Sequence, residues 1–225
     1  MTPAKRHALF AQLAAESPEP ATELRWTTPF ELLVAVILSA QATDKGVNHA
    51  TTQLFPVANT PQSILDLGLA GLTRYVRTIG LYNAKAKNIL TTCRMLLEHH
   101  NGEVPHDRDA LEALPGVGRK TANVVLNTVF GEPTIAVDTH IFRVANRIGL
   151  APGRNVREVE GALLKAVPRE YLKNAHLWLI QLGRYTCKAR QPECWRCTVR
   201  AQCGYRSKAK ARVSGALARA RSGRA

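Results

Sequence analysis

The chain has 225 residues and a formal net charge of +14, from 31 Lys and Arg against 17 Asp and Glu, and 45% of it is apolar. A chain of this size buries a core without a disulfide scaffold; its apolar content excludes a wholly disordered polymer, and the lack of a Gly-x-y period excludes collagen. The longest apolar run, Phe30 to Ala40, is interrupted by Glu31 and Ser39 and falls short of the roughly 18 residues of a membrane helix.

The first ten residues are basic but lack the apolar stretch of a secretion signal, so the sequence reads as a soluble cytosolic protein. There is no sustained alternation of apolar and polar residues, and the chain reads as all-α. Thr28-Pro29-Phe30-Glu31 combines an N-cap, a proline at the first helical position and a glutamate at the third, so a helix starts there. Its body, Leu32 to Leu38, is apolar on every side and predicts a central buried helix. Gln41-Ala42-Thr43-Asp44 breaks the pattern, with Thr43 or Asp44 placed to cap the next helix. Further helices are expected after Thr60-Pro61 and over Ala84 to His100, Asp109 to Leu114, Lys120 to Phe130, Thr139 to Ile148, Val156 to Val167 and Asn174 to Arg184. Asn101-Gly102 reads as the stop of the second of these.

Leu114-Pro115-Gly116-Val117-Gly118-Arg119-Lys120-Thr121 sets two glycines between a short helix and a longer one, and Ile79-Gly80-Leu81-Tyr82 leads into a helix in the same way. Such a turn lets backbone approach a ligand, and the new helix offers unpaired N–H groups to a phosphate. It is not a Walker A loop, because the Gly-x4-Gly-Lys-Ser/Thr spacing is missing. Lys120, beside Arg119 in the first turn, stands where the helix dipole and a like charge both oppose the ammonium form. In a desolvating cleft it becomes a candidate nucleophile; in the open it is a phosphate contact. Asp138, in Val137-Asp138-Thr139-His140, reads as the N-cap of the next helix, and a carboxylate held there can also stabilise positive charge developing on a sugar.

Cys187, Cys194, Cys197 and Cys203 follow a C-x6-C-x2-C-x5-C spacing, while Cys93 lies alone in a helical pattern and reads as a small buried hydrophobe. Four clustered thiols without a secretion signal favour a metal site over disulfides. Zinc and an iron–sulfur cluster both suit them, and the lack of two tight Cys pairs tips the choice towards the cluster. Trp195, between two of these cysteines, reads as a lid over the site. From Cys187 onward there are eleven basic residues and one acid, Glu193, which marks an electrostatic footprint for a polyanion, nucleic acid first. Lys188 and Arg190 sit in the loop between the first two cysteines. The last dozen residues bury little and are expected to be mobile.

Three stretches, Leu114 to Asn127, Val137 to Val144 and the four cysteines, closely resemble the endonuclease III family of helix-hairpin-helix DNA glycosylases. The resemblance runs from about Pro29 to Tyr205 and includes Leu38 to Asp44 and Ile79 to Asn83. It implies an all-α fold of two lobes with DNA in the groove between: a helical-barrel lobe over 22–132, with the hairpin at 109–130, and a cluster lobe of 1–21 plus 133–205, followed by a basic tail over 206–225. By that likeness Lys120 is the nucleophile, Asp138 the catalytic carboxylate, and Cys187, Cys194, Cys197 and Cys203 hold a [4Fe-4S] cluster. Gln41 and Leu81, with Ile79 beside them, fill the gap left by an extruded nucleotide, while Gly116, Gly118, Arg119, Thr121, His140, Lys188 and Arg190 are further DNA contacts. The expected activity is excision of oxidised pyrimidines from double-stranded DNA and cleavage at the abasic site, by a monomer of bacterial, cytoplasmic and nucleoid-associated type. A monofunctional adenine glycosylase and a non-catalytic redox-sensing DNA binder are the competing readings; Lys120 speaks against the first, and Lys120 with Asp138 against the second.

Overall fold

The computed structural model describes residues 1–210, and every regular element among them is helical. The final dozen residues, for which mobility is expected, lie outside that range. The chain forms ten α-helices: α1 (Pro3–Glu16), α2 (Pro29–Ser39), α3 (Asp44–Leu54), α4 (Pro61–Val76), α5 (Tyr82–His100), α6 (Arg108–Ala113), α7 (Arg119–Phe130), α8 (Thr139–Ile148), α9 (Val156–Ala166) and α10 (Leu172–Gln181).

Their starts are written in side chains. Thr28 and Glu31 close a capping box at α2, with Pro29 at the first turn. Thr43, rather than Asp44, caps α3 through the N–H of Gly46, and Asn101, left-handed at φ 51°, ends α5 as expected. Helix α4 is broken at Gly68, whose φ of 63° and ψ of −179° are not helical.

Two apolar cores organise these helices. The first is built around α2, buried without a break from Phe30 to Leu38, and is closed by α3 to α7. The second joins α1 to α8, α9 and α10. Between them runs a polar seam rooted in α7. The amide of buried Asn127 donates to the carbonyls of Glu132 (2.9 Å), Thr134 (3.2 Å) and Lys173 (2.9 Å). Asn123 donates to Ile135 and to the carboxylate of Glu160 on α9, which also takes both ends of the Arg119 guanidinium at 2.9 Å. Although the Asn123 Oδ1 is left without a partner, a buried network with this many directional bonds favours one relative arrangement of the helices it joins.

One expected element is divided. Asn174 to Arg184 is not a single α-helix: α10 ends at Gln181 and the chain continues as a π-turn over Leu182–Thr186. Gly183 lies against α8, where a Cβ would stand 2.8 Å from the Cβ of His140, so the turn widens at a residue that can sit that close. The π-turn aims Arg184 back towards the first core and delivers Cys187 to the cysteine segment.

Candidate active site

The hairpin between α6 and α7 is anchored by the Thr92 hydroxyl, which donates to Pro115 at 3.1 Å. Its two glycines have different reasons. Gly116 has φ 82°, and a Cβ there would meet Asn88 at 3.1 Å and Ile37 at 3.3 Å. Gly118 has an ordinary φ of −96° and nothing near its missing side chain. It is the N-cap of α7, with no side chain bonded over the first turn. The opening N–H groups of α7 are therefore left without a capping side chain, and Thr121 in the same turn is half-buried.

Lys120 follows in that first turn and is exposed. It lines a cleft of about 890 Å³ whose walls come from both cores and which also takes in Asp138, His140, Gln41 and His176. Asp138 is half-buried behind the apolar strip Ile135 to Val137, and its Oδ1 accepts the N–H of Ile141 at 2.8 Å as the cap of α8. Arg143 donates towards Nδ1 of His140 at 3.2 Å. A guanidinium can only donate, so Nδ1 is the acceptor in this contact.

His176 was not singled out by the sequence, where it is one histidine in an apolar helix. It is 3% exposed on the cleft floor, and its Nδ1 has no hydrogen-bond partner. Burial lowers its pKa to about 4, opposed by the nearby charge of Asp138 and reinforced by Lys120 and Arg184. It is therefore a neutral imidazole beside the lysine and the aspartate. Arg184 crosses the cleft to Asp44 and Glu23; burial works against its charge, but those two carboxylates outweigh it and raise its pKa.

Gln41, which lines the cleft, and Leu81 stand on neighbouring turns, both in the left-handed region at φ 55° and 59°. Leu81 is 64% exposed, the most exposed of the large apolar side chains described. Ile79, expected beside them as a DNA contact, is instead buried in the first core and anchors the turn from below. Arg119, expected as a DNA contact and as a like charge against Lys120, is committed to Glu160, which raises its pKa first through that hydrogen bond. The Arg119 guanidinium is therefore directed to Glu160, while Lys120 beside it is exposed.

The four C-terminal cysteines ring one small apolar pocket, together with Arg147 and Tyr205. Arg147 lies over the Tyr205 ring at 5.3 Å, donates to the Cys187 sulfur at 3.5 Å and holds the carbonyls of Lys188 and Ala189. The backbone N–H of Tyr205 donates to the Cys203 sulfur at 3.4 Å. Burial raises the thiols of Cys197 and Cys203, and each of these two also feels the charge of the other three sulfurs or most of them. Buried thiols gathered in this way need a cation to become thiolates, and four soft sulfur donors fit an iron–sulfur cluster. Among the described residues no group of three or more His, Cys, Asp or Glu closes tightly enough for a single metal ion. Trp195, expected as a lid, lies outside the ring and is 41% exposed. Lys188 is paired with Glu193 at 2.6 Å and Arg196 is paired with the same carboxylate, while Arg190 is exposed with no ion-pair partner among the described residues. Cys93 is buried in the first core, with its thiol pushed up to about 12.

Residues 34–169 match the family model of the HhH-GPD superfamily base excision DNA repair proteins. Over 92% of its length the chain is 63% identical to the endonuclease III of Haemophilus influenzae and 62% identical to that of Escherichia coli K12, covering 99% of each. The chain belongs to the endonuclease III family. Endonuclease III proteins are generally iron–sulfur proteins. A solved endonuclease III trapped as a covalent intermediate with DNA superposes with a TM-score of 0.84 at 45% identity, over 91% of this chain and 96% of that one. A thermostable thymine-DNA glycosylase, at 24% identity and a TM-score of 0.81 over 92% of this chain and 98% of its own, shares the fold. No described helix of this endonuclease III relative is long and apolar enough to cross a membrane.

Proposed function

We propose that this chain is a bifunctional DNA glycosylase and AP lyase that removes oxidised pyrimidines from duplex DNA, acting as a monomer in the bacterial cytoplasm on nucleoid DNA. The observation that carries the reading is one cleft, walled by both cores, into which two helix starts bring an amine and a carboxylate, Lys120 and Asp138. Lobes over 22–132 and over 1–21 with 133–205 would grip the duplex from either side.

An oxidised pyrimidine stacks and pairs poorly, so its extrusion into the cleft costs less than that of a normal base. Gln41 and Leu81 occupy the vacated space, the leucine as an apolar wedge. The open first turn of α7 at Gly116, Gly118 and Thr121 holds a backbone phosphate through N–H groups, and His140, Lys188 and Arg190 add donors and charge. Closure over the sugar removes water from around Lys120 and favours its neutral amine. The lone pair of Nζ forms a bond to C1′ as the bond from C1′ to the base nitrogen breaks, and the departing base takes up the proton that the new Nζ–C1′ ammonium gives up. The Asp138 carboxylate stabilises the positive charge on the sugar. Ring opening gives an imine between Nζ and C1′. Loss of a C2′ proton then expels the 3′ phosphate, and water releases the amine.

Cys187, Cys194, Cys197 and Cys203 would hold a [4Fe-4S] cluster. When bound, it supplies iron–thiolate ligation that fixes a segment with little core of its own. None of the steps above needs an electron.

Borohydride reduction of the imine tests the assignment. The parent should become covalently joined to a duplex carrying one abasic site or one oxidised thymine, and Lys120→Ala should not. Equal trapping by the variant would remove Lys120 from its role.

A further inference from the structure

Lys85 is the only lysine buried among the described residues, 5% exposed on the first turns of α5. Its Nζ donates to the carbonyls of Leu38 (2.9 Å) and Ala40 (2.5 Å). Those are carbonyls from the end of α2, which has no glycine cap to satisfy them. Beyond them the chain reverses over Ser39 to Ala42, closed by the Ala42 N–H on the Ser39 carbonyl at 3.0 Å, with Ala40 at φ −57°, ψ 115° and Gln41 at φ 55°. This is a type II turn, whose third position ordinarily takes glycine. Four residues before Lys85 stands Leu81, also left-handed, with its carbonyl accepting the Lys85 N–H at 3.1 Å. A Cβ on Gly80 would lie 3.7 Å from the Gln41 carbonyl, so the two turns touch.

Asn101, the third non-glycine residue with a positive φ among those described, is an ordinary helix stop. The other two are the residues read as filling the nucleotide gap. Strained backbone of this kind persists only where its surroundings hold it. We propose that Lys85 is a positioning residue, a clasp that joins the end of α2 to the start of α5 and so holds Gln41 and Leu81 together as one wedge. The proposal rests on the reading of that pair given above. A glycine cap would satisfy the same carbonyls but would leave the two turns free to relax separately. Only a long stem ending in several donors reaches from one helix to the other. Burial lowers the Lys85 pKa, yet both carbonyls face its ammonium and favour the charged form.

The test compares strand cleavage at one abasic site in a duplex and in the same strand alone, where no opposite base leaves a gap to fill. Taking the ratio within one preparation cancels any loss of folded protein. For Lys85→Met the duplex-to-single-strand ratio should fall about tenfold, the scale of one lost charged hydrogen-bond pair. In parallel, 2-aminopurine opposite a reduced abasic site should brighten on binding the parent and markedly less on binding the variant. An equal loss on both substrates, or a parental ratio, would overturn the clasp. Leu81→Ala separates the two readings. If it lowers the ratio and Lys85→Met does not, only the clasp fails; if Leu81→Ala keeps the parental ratio, the wedge reading itself fails and the clasp with it.

Discussion

The two walls of the cleft are held in place by different physics. On one side, Gln41 and its neighbour Leu81 are exposed side chains on left-handed backbone, propped from behind by a buried lysine whose Nζ donates to two backbone carbonyls. On the other, Lys120 and Asp138 stand at ordinary helix starts, and what fixes their separation is the polar seam from α7 to the second core. The mechanical wall stores strain, while the chemical wall uses relaxed backbone and places its unusual group, the unpartnered His176, underneath. A residue on the first wall should therefore respond to changes in its neighbours' backbone. On the second it should respond to changes in charge.

Asp138 sharpens that contrast most. It caps α8, and it is proposed to stabilise charge on the sugar. Asparagine caps as well as aspartate does, so Asp138→Asn should leave stability within about 0.5 kcal/mol of the parent. The same change removes the anion, and cleavage should fall by roughly 10²- to 10³-fold. Asp138→Ala should show the same loss of rate with about 1 kcal/mol of stability lost in addition. Thermal melts alongside single-turnover cleavage would separate the roles, and full activity in Asp138→Asn would reduce Asp138 to a cap.

What could be read from the sequence followed the same division. Thr28, Thr43, Asn101, Asp138 and the glycine at 116 announce themselves because capping and positive φ are local preferences of single residues. The all-helical fold and the central burial of α2 follow from patterns a few residues long. Long-range partners carry no such signal. Nothing near Arg119 in the chain announces Glu160, 41 residues on, and nothing near Lys85 announces a helix end 47 residues before it. Ile79 reads as a contact alongside Leu81 because the two share one turn motif, which does not reveal that the isoleucine turns into the first core while the leucine stays exposed. His176 was invisible for the opposite reason, since a histidine in an apolar helix looks the same whether or not its ring has a partner.

His176 gives the chemical wall a pH dependence that the mechanical wall lacks. Its folded pKa lies near 4 against an ordinary 6.5, because burial excludes the charged ring; Asp138 opposes this and Lys120 and Arg184 reinforce it. Above about pH 6.5 the ring is neutral folded or unfolded and contributes nothing to the balance. As the pH falls towards 4 the unfolded chain takes up a proton that the folded chain refuses, and stability drops by about 3 kcal/mol. His176→Phe should lose less stability on acidification than the parent, by about that amount. Urea titrations of both proteins at pH 7 and pH 4 would measure it, and parallel losses would mean that the ring is solvated in the folded state.

The smallest effect expected is at the seam itself, through Glu160. This carboxylate is buried on α9, takes both ends of the Arg119 guanidinium, accepts from Asn123 and has Arg108 at 3.6 Å. Arg119 is partly open to water, which screens the pair, so Glu160→Gln should cost only about 1–2 kcal/mol. In a chain of this size that is a melting shift of roughly 2–8 °C. The same substitution frees a guanidinium one residue from Lys120, on a surface proposed to meet phosphate. DNA binding should therefore tighten slightly, with a steeper dependence on salt, while the protein becomes less stable. A double-mutant cycle with Arg119→Met isolates the pair. If the coupling energy is near zero, the seam is carried by Asn123 and Asn127 alone, and the separation of Lys120 from Asp138 depends on amides rather than on charge.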